Sequence, residues 1–462
     1  MRRLAALLAA AALAGCAGPR PEPPAAAAVQ APGQWRVAPD RAAAVDAGWW
    51  AAFGDPALSQ VVETALAHNT DIALAAARVE EARGQYDLAQ AQRLPNLAAA
   101  LGGARQRDVS PFGTPRLQTA GQVQLSAAYD TDLFGRLREA SASARATLLA
   151  TEAGRDSVRL AVAATAAAGY INLRALDARL AVLQSTLDAR AASLKLAQRR
   201  ADAGYSPRLD ERQAEADYHL AEQLIPATRA AIARQENGLS VLLGDNPRAI
   251  ARGRDLAELT PPPLVAALPA DLLRRRPDLA QAEQQLVAAD RSLDSIRAAF
   301  LPNIQLTASA GYVASTLLGD PIRVFSLGGS ALDPLFDAGR LKAQQGAAAA
   351  RRNQAAFAYR RAALTAFREV DDALATERGA AEQTTDLVAQ REAQAQVLSL
   401  ATKRYRAGYS PFLEQLDAQR FLLQVDLQLI QARADRLNAA VALFQALGGG
   451  WSPSPGPAPA GR

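Results

Sequence analysis

Few side chains in this 462-residue chain are suited to chemistry of their own. The histidines are His68 and His219, and the one cysteine is Cys16. Neither histidine has a second metal ligand at a recognised spacing, and no glycine loop that could cradle a phosphate follows a strand. Both read as surface positions on helices. The expectation is therefore a protein that is not an enzyme, with no catalytic, metal-binding or cofactor-binding residues. What remains is electrostatic. Glu414 and Asp417 stand three apart, so a helix would carry both carboxylates on one face, and the helix dipole favours acids near its start. The formal charge of +5 comes from interspersed Arg, Asp and Glu. It includes no basic block with interleaved aromatics, which argues against a nucleic-acid partner.

The two acids follow a five-residue string, Ala407 to Pro411, that the chain has already used at Ala203 to Pro207. Gly204 answers Gly408 at an offset of 408 − 204 = 204 residues. Arg199-Arg200 and Lys403-Arg404 place positive charge where a helix C-terminus favours it. Gly204 and Gly408 suit the left-handed residue just past a helix end. Ser206 and Ser410 are expected to cap the next helices, with Pro207 and Pro411 at the first helical positions. Each string thus reads as helix stop, tyrosine (Tyr205, Tyr409) and helix start: the tip of an αα-hairpin. Asp210 occupies in the first copy the place of Glu414 in the second.

Other landmarks recur in the same order. Arg93–Asn96 (RLPN) answers Phe300–Asn303 (FLPN), and Leu133–Leu137 (LFGRL) answers Leu335–Leu341 (LFDAGRL). Leu243-Gly244 answers Leu447-Gly448. The order identifies a tandem duplication, with repeat 1 over 48–250 and repeat 2 over 272–448. A linker over 251–271 joins them; Pro261, Pro262, Pro263 and Pro269 forbid a continuous helix there. Each repeat contains a strand pair (about 96–131 and 302–332) followed by a long helical hairpin (about 136–243 and 340–446).

The strands show period-two patterning. Leu117, Thr119, Gly121, Val123, Leu125, Ala127 and Tyr129 share one face, opposite Gln118, Gln122, Gln124, Ser126 and Asp130. Such strands suit a membrane barrel, lipid outside and water inside, and equally an antiparallel sheet with one wet side. The helical runs lack proline from Arg136 to Ala203 and from Arg340 to Ala407, enough for about 100 Å of helix at 1.5 Å per residue. Leu173, Leu176, Leu180, Leu183, Leu187 and Leu194 form a heptad seam, as do Leu416, Leu423, Leu427, Ile430, Ala434, Leu437, Val441 and Phe444. The matching helix of the first repeat is less regular, with a kink expected at Pro226. Four membrane strands cannot close a barrel, so either these are not membrane strands or several chains share one barrel. Two would supply eight strands and three would supply twelve.

Residues 1–15 read as a signal peptide, and Leu13-Ala14-Gly15-Cys16 resembles the bacterial lipobox. That resemblance implies a lipidated (palmitate-bearing) Cys16, and Ala17 after it goes with the outer membrane. Residues 16–47 are expected to form a flexible tether and 449–462 a disordered tail.

Taken together, the early "WWAAFGDPALSQVVETALAHNTDIALAAARVEEA", "LPADLLRRRPDLAQAEQQLVAAD", "RAAFLPNIQLTASAGY" and "YRAGYSPFLEQLDAQR" resemble the outer-membrane efflux factor family, and within it the TolC-like, NodT-type lipoproteins. The resemblance covers about Gly48 to Gly448. It implies a mainly α fold with membrane β: a homotrimer with a twelve-stranded barrel in outer-membrane lipid, a periplasmic α-barrel of coiled-coil helices, and an equatorial belt that includes the linker. It further implies a periplasmic adaptor, an inner-membrane RND-type transporter and passive efflux through a gated mouth. By resemblance, Glu414 and Asp417 form lumenal acidic rings, although the family often carries Asp where this chain has Glu414. Asp210, with Arg406 and Tyr409, is implied in latching the gate. The tips (Gly204, Tyr205, Ser206, Pro207, Gly408, Tyr409, Ser410, Pro411) are implied in adaptor contact. Rival expectations are a channel for type I protein secretion and a non-conducting coiled-coil envelope lipoprotein.

Overall fold

The computed structural model describes residues 19–39, 45–263, 266, 268–334 and 336–452. The signal peptide, Cys16 and the end of the tail lie outside the described residues. Helices α1 (Pro56–His68) and α2 (Thr70–Ala91) precede strands β1 (Asn96–Val109) and β2 (Pro115–Asp130). Helices α3 (Arg136–Asp202), α4 (Arg208–Glu222) and α5 (Leu224–Leu242) follow. After a short α6 (Pro269–Leu272) come α7 (Pro277–Ala298), β3 (Asn303–Ser315), β4 (Ile322–Leu332), α8 (Arg340–Arg406) and α9 (Phe412–Ala446). This mainly helical chain with four antiparallel strands has the fold class that the sequence predicts. Two compact units divide it, and the division cuts across the repeats. One holds residues up to Val29, Ala77–Glu152 and Gln281–Arg361; the other holds Gln30–Ala76, Ala153–Ala280 and Ala362 onward.

The first unit contains the sheet, in the order β1-β2-β3-β4 and antiparallel throughout. Register makes the alternation of single strands continuous across all four. Leu101, Val123, Tyr312 and Arg323 form one cross-strand row, and Ala99, Leu125, Ala310 and Phe325 the next on the same face. The opposite face carries rows such as Ala98, Ser126, Ser309 and Ser326, with Ser309 and Ser326 hydroxyls 2.9 Å apart. At Gly311 strand β3 lies close against β2: a Cβ there would stand 2.1 Å from the Val123 carbonyl oxygen. Among the described residues, the outer edges of β1 and β4 have no strand partner.

The repeated LFGRL string and residues 336–341 of its counterpart are elbows from strand to helix. Asp132 accepts from the amides of Leu137 (2.8 Å) and Arg138 (2.7 Å), and Asp337 from that of Leu341 (2.8 Å). These amide bonds hold the Asp337 carboxyl below its usual range. The elbows launch two helices of 67 residues each.

Residues 19–39 are not the free tether that composition implies. Within the first unit, Arg20 pairs with Asp290 and Asp294, and Arg352, only 1% exposed, donates to the carbonyls of Pro21 (3.0 Å) and Glu22 (2.8 Å). Within the second, Trp35 is buried with its ring centroid 6.4 Å from that of Phe367, and the Arg36 amide donates to Asp371. Isolated anchors hold this segment, and they leave no periodic signal. The start of the tail is likewise fastened: Trp451 Nε1 donates to Asp156 at 2.9 Å.

The second unit packs α1, α3, α5 and α9 around Trp49, Phe53, Tyr170, Leu173, Leu239, Leu437 and Phe444. Buried Asp55 caps α1 and accepts from the Tyr170 hydroxyl (3.0 Å) and the Arg254 amide (3.1 Å), tying the linker to this core. Burial raises the Tyr170 phenol to about 12. The predicted seam of α9 is buried or half-buried, but a second seam appears beside it, Val425, Leu429 and Ala432 against Leu387 of α8. Helix α9 therefore packs on two neighbours. The break between α4 and α5 falls at Gln223, three residues before Pro226, which has no amide to donate back into the helix.

Replacing Gly311 with Val should force β2 and β3 apart. Heat-resistant oligomers on semi-native gels should fall steeply for Gly311→Val but little for Gly102→Val, where the nearest atom is a side-chain carbon 3.8 Å away.

Candidate functional site

The helix ends fold at both tips as the glycines require. Gly204 and Gly408 sit at φ +74 and +80, in the left-handed region. Tyr205 N–H donates to Arg200 O (2.8 Å) and Gly204 N–H to Ala201 O (3.1 Å). Tyr409 N–H and Gly408 N–H repeat the pattern to Arg404 O (2.9 Å) and Tyr405 O (3.0 Å). This pairing is a Schellman motif at each tip. It turns the following tyrosines outward: Tyr205 and Tyr409 are 79% and 80% exposed.

The serine caps do not form. The cap positions of α4 and α9 are Pro207 and Pro411, with no side-chain hydrogen bond. The helices begin one residue later than expected, so Ser206 and Ser410 stand outside them. Both hydroxyls are buried; that of Ser206 lies against the Tyr405 phenol, and that of Ser410 has no hydrogen-bond partner among the described residues.

The acids of the first turns differ between the copies. Glu414 and Asp417 are exposed on one face of α9, and Glu414 lies 3.9 Å from Arg404. Asp210 is half-buried, and burial lifts its carboxyl above the usual value against the opposing pull of Arg200. Arg406 and Tyr409, singled out beside Asp210, are exposed, and among the described residues neither side chain has a hydrogen bond or ion pair. The residue that joins the two tips is Arg200. Its guanidinium donates to the Tyr405 carbonyl at 2.7 Å and lies 4.8 Å from the Tyr405 ring centroid. Tyr405 packs with Phe412, Leu416, Ala197 and Ala214 in a small core. Burial, reinforced by the Asp210 charge, raises its phenol. Sequence reasoning read Arg200 only as charge at a helix end and passed over Tyr405. The available signal was that, at the 204-residue offset, Tyr405 replaces Ala201 and Phe412 replaces Arg208, the two aromatics by which the tips differ.

Behind this core lies a buried ion cluster. Arg190 and Asp217, each 2% exposed, are 2.9 Å apart, and Arg420 donates to Asp217 at 3.0 Å. It links α3, α4 and α9. Removing one partner of such a buried cluster leaves an uncompensated charge and costs about 3–5 kcal/mol. No group of three or more His, Cys, Asp or Glu among the described residues could hold a metal ion. His68 and His219 are exposed, with His219 3.0 Å from Glu222.

The chain matches the family described as outer membrane efflux protein over residues 61–245 and 268–449. It is 38% identical over 416 residues to the solvent efflux pump outer membrane protein SrpC of Pseudomonas putida, covering 87% of each chain. Among solved structures it resembles the outer-membrane channel OprN, with TM-score 0.86, 28% identity, and coverage of 94% of this chain and 99% of that one. The open state of the Neisseria gonorrhoeae MtrE outer membrane channel gives TM-score 0.82 and 29% identity, with coverage of 94% and 98%. Fold and relatives together define an outer-membrane transport duct rather than an enzyme. The chain belongs to the outer membrane efflux protein family.

Arg200→Ala should loosen the tips by about 1–3 kcal/mol, removing a charge-assisted hydrogen bond and a cation–π contact. Amide exchange of 194–214 and 401–416 should accelerate while the strands stay protected. A second expectation concerns pH. Asp210 has a raised carboxyl pKa in the fold, so its contribution is fully present when protonated and is lost as pH rises through that raised value. Asp210→Asn should flatten the acid-range pH dependence of tip exchange.

Proposed function

We propose that this protein is the exit duct of a tripartite, RND-type multidrug efflux pump, conducting small molecules passively from periplasm to exterior. It works as a homotrimer. Three four-stranded sheets complete a twelve-stranded barrel, the long hairpins form a periplasmic tunnel, and lipid on Cys16 adds a second hold on the outer membrane. The observation that carries this reading is the sheet: apolar across one face, rich in Gln, Ser and Thr across the other, and open at both edges. A strand edge left open in hydrocarbon is too costly to persist, so neighbouring copies must cover it.

The mouth is the ring of hairpin tips. Tyr205 and Tyr409, held outward by the two turns, are the side chains best placed to meet a periplasmic adaptor. The Arg200–Tyr405 contact, with Asp210 beside it, holds the two tips of one chain together and serves as the latch. The Ser410 hydroxyl nearby lacks a hydrogen-bond partner among the described residues, so this packing has less to lose on opening than a fully satisfied core. Glu414 and Asp417, exposed together on one face, supply negative charge to the entrance. Repeated threefold, the pair gives carboxylate rings that favour cations and bind multivalent ones. The pump-related name of the relative SrpC supports small-molecule efflux.

Planar bilayers test this reading. The purified protein should insert as discrete conducting units with cation preference. Glu414→Ala with Asp417→Ala should weaken that preference and the block by multivalent cations. Silent membranes despite confirmed trimers would overturn the channel reading, and unchanged selectivity would return both acids to a helix-capping role.

A further inference from the structure

The apolar face of the sheet contains no carboxylate, yet it carries three arginines. Arg105 and Arg107 lie on β1 in line with Leu97, Ala99 and Leu101, and Arg323 lies on β4 in line with Phe325 and Leu327. All three are toward the end of the sheet where the turns at 110–114 and 316–321 reverse the chain, opposite the end where the helices leave. The face below them is built for hydrocarbon: Leu101 is 84% exposed and Phe325 82% exposed. From Leu97 to Arg105 is about 27 Å along the strand, or about 20 Å of height at a tilt of about 40°, close to the apolar band of a membrane barrel. Tyr312 stands at this level on the same face, with the Arg323 guanidinium 5.9 Å from its ring centroid. Tyrosines in such positions mark the headgroup boundary.

The guanidiniums are free for a ligand. Among the described residues none of the three makes an ion pair or a hydrogen bond. The acid on neighbouring β1, Asp108, points to the other face and accepts from Gln106 at 2.9 Å. An arginine on the lipid face is costly at mid-membrane and nearly neutral at the boundary. Their placement at the boundary is therefore tolerable, and their chemistry suits phosphate oxygens, which the planar fork contacts in pairs.

We propose that Arg105, Arg107 and Arg323 bind the phosphate groups of an anionic, phosphorylated glycolipid in the outer leaflet. The site fastens the turn end of the barrel to that leaflet, as the lipid on Cys16 fastens the other. This rests on the barrel reading above, which places the turns outward. Because β1 and β4 are the two edge strands, each chain presents the basic residues beside its joints with neighbouring copies.

The test uses the full-length protein in detergent, titrated with a diphosphorylated glucosamine lipid and followed by native mass spectrometry. Wild type should bind the lipid, and the combined Arg105→Gln, Arg107→Gln, Arg323→Gln variant should bind it on the order of 100-fold more weakly, at about fivefold per guanidinium. The dephosphorylated lipid should bind no better to wild type than to the variant. Inorganic phosphate at matching phosphate concentration should not compete. Binding by the variant within about twofold of wild type, or equal binding of the dephosphorylated lipid, overturns the proposal. Full competition by inorganic phosphate would reduce the site to a simple anion site and also overturn it. If the triple variant fails to assemble, Arg323→Gln alone should weaken binding about fivefold, with Arg323→Lys intermediate. Conductance of the wild type separates the two readings: a silent wild type strikes the channel reading, whereas a conducting protein without lipid preference strikes only this one.

Discussion

A peptide group in hydrocarbon must find its hydrogen-bond partner in protein, because water is absent and each unpaired group costs several kcal/mol. The rest of this structure follows from that constraint meeting a sheet of only four strands. The register pairs the inner edges residue by residue and leaves two outer edges open. A chain so built is incomplete in a membrane. The proposed completion by copies of itself gives the largely apolar face lipid to meet and lets the Gln- and Ser-rich face be wet. It also explains why each chain carries long helices that cannot bury themselves alone.

Duplication supplies the second half of each device and then lets the halves diverge. The elbows match: an aspartate caps each long helix, and both helices run 67 residues. The tips match in backbone down to the Schellman hydrogen bonds. Their side chains do not. Tyr405 stands where the first copy has Ala201, and the exposed Glu414 stands where the first copy has half-buried Asp210. One copy thus contributes a ring and the other an arginine to grip it.

Much of the fold is legible in the sequence because its elements are long and strongly patterned. Strands of 11–16 residues give many alternations to read, and a proline-free run of 68 residues leaves little but helix. Gly204 and Gly408 announce their own backbone conformation. What sequence reasoning misses depends on single contacts or one-residue offsets. Ser206 and Ser410 are good capping residues, yet the helices start after the prolines, and a shift of one residue moves the hydroxyls inside. Arg352 is one arginine among many in α8, and nothing in its neighbours reveals that it clasps two carbonyls more than 300 residues away. The Arg200–Tyr405 contact joins the ends of two different helices, which spacing within either helix cannot disclose. The second seam of α9 was hidden because its Ala and Val positions resemble surface helix filler until a neighbour covers them.

The central claim is that the open edges of β1 and β4 close against each other between copies. Disulfide crosslinking tests it most directly: a cysteine at Ala100 on β1, combined in turn with single cysteines along Ile322–Leu332 on β4, in membranes under mild oxidation. Closure between copies predicts covalent species up to three chains, confined to a few adjacent β4 positions on the face shared with Ala100. Chains that remain monomeric at every position, while running as folded protein, would contradict the account.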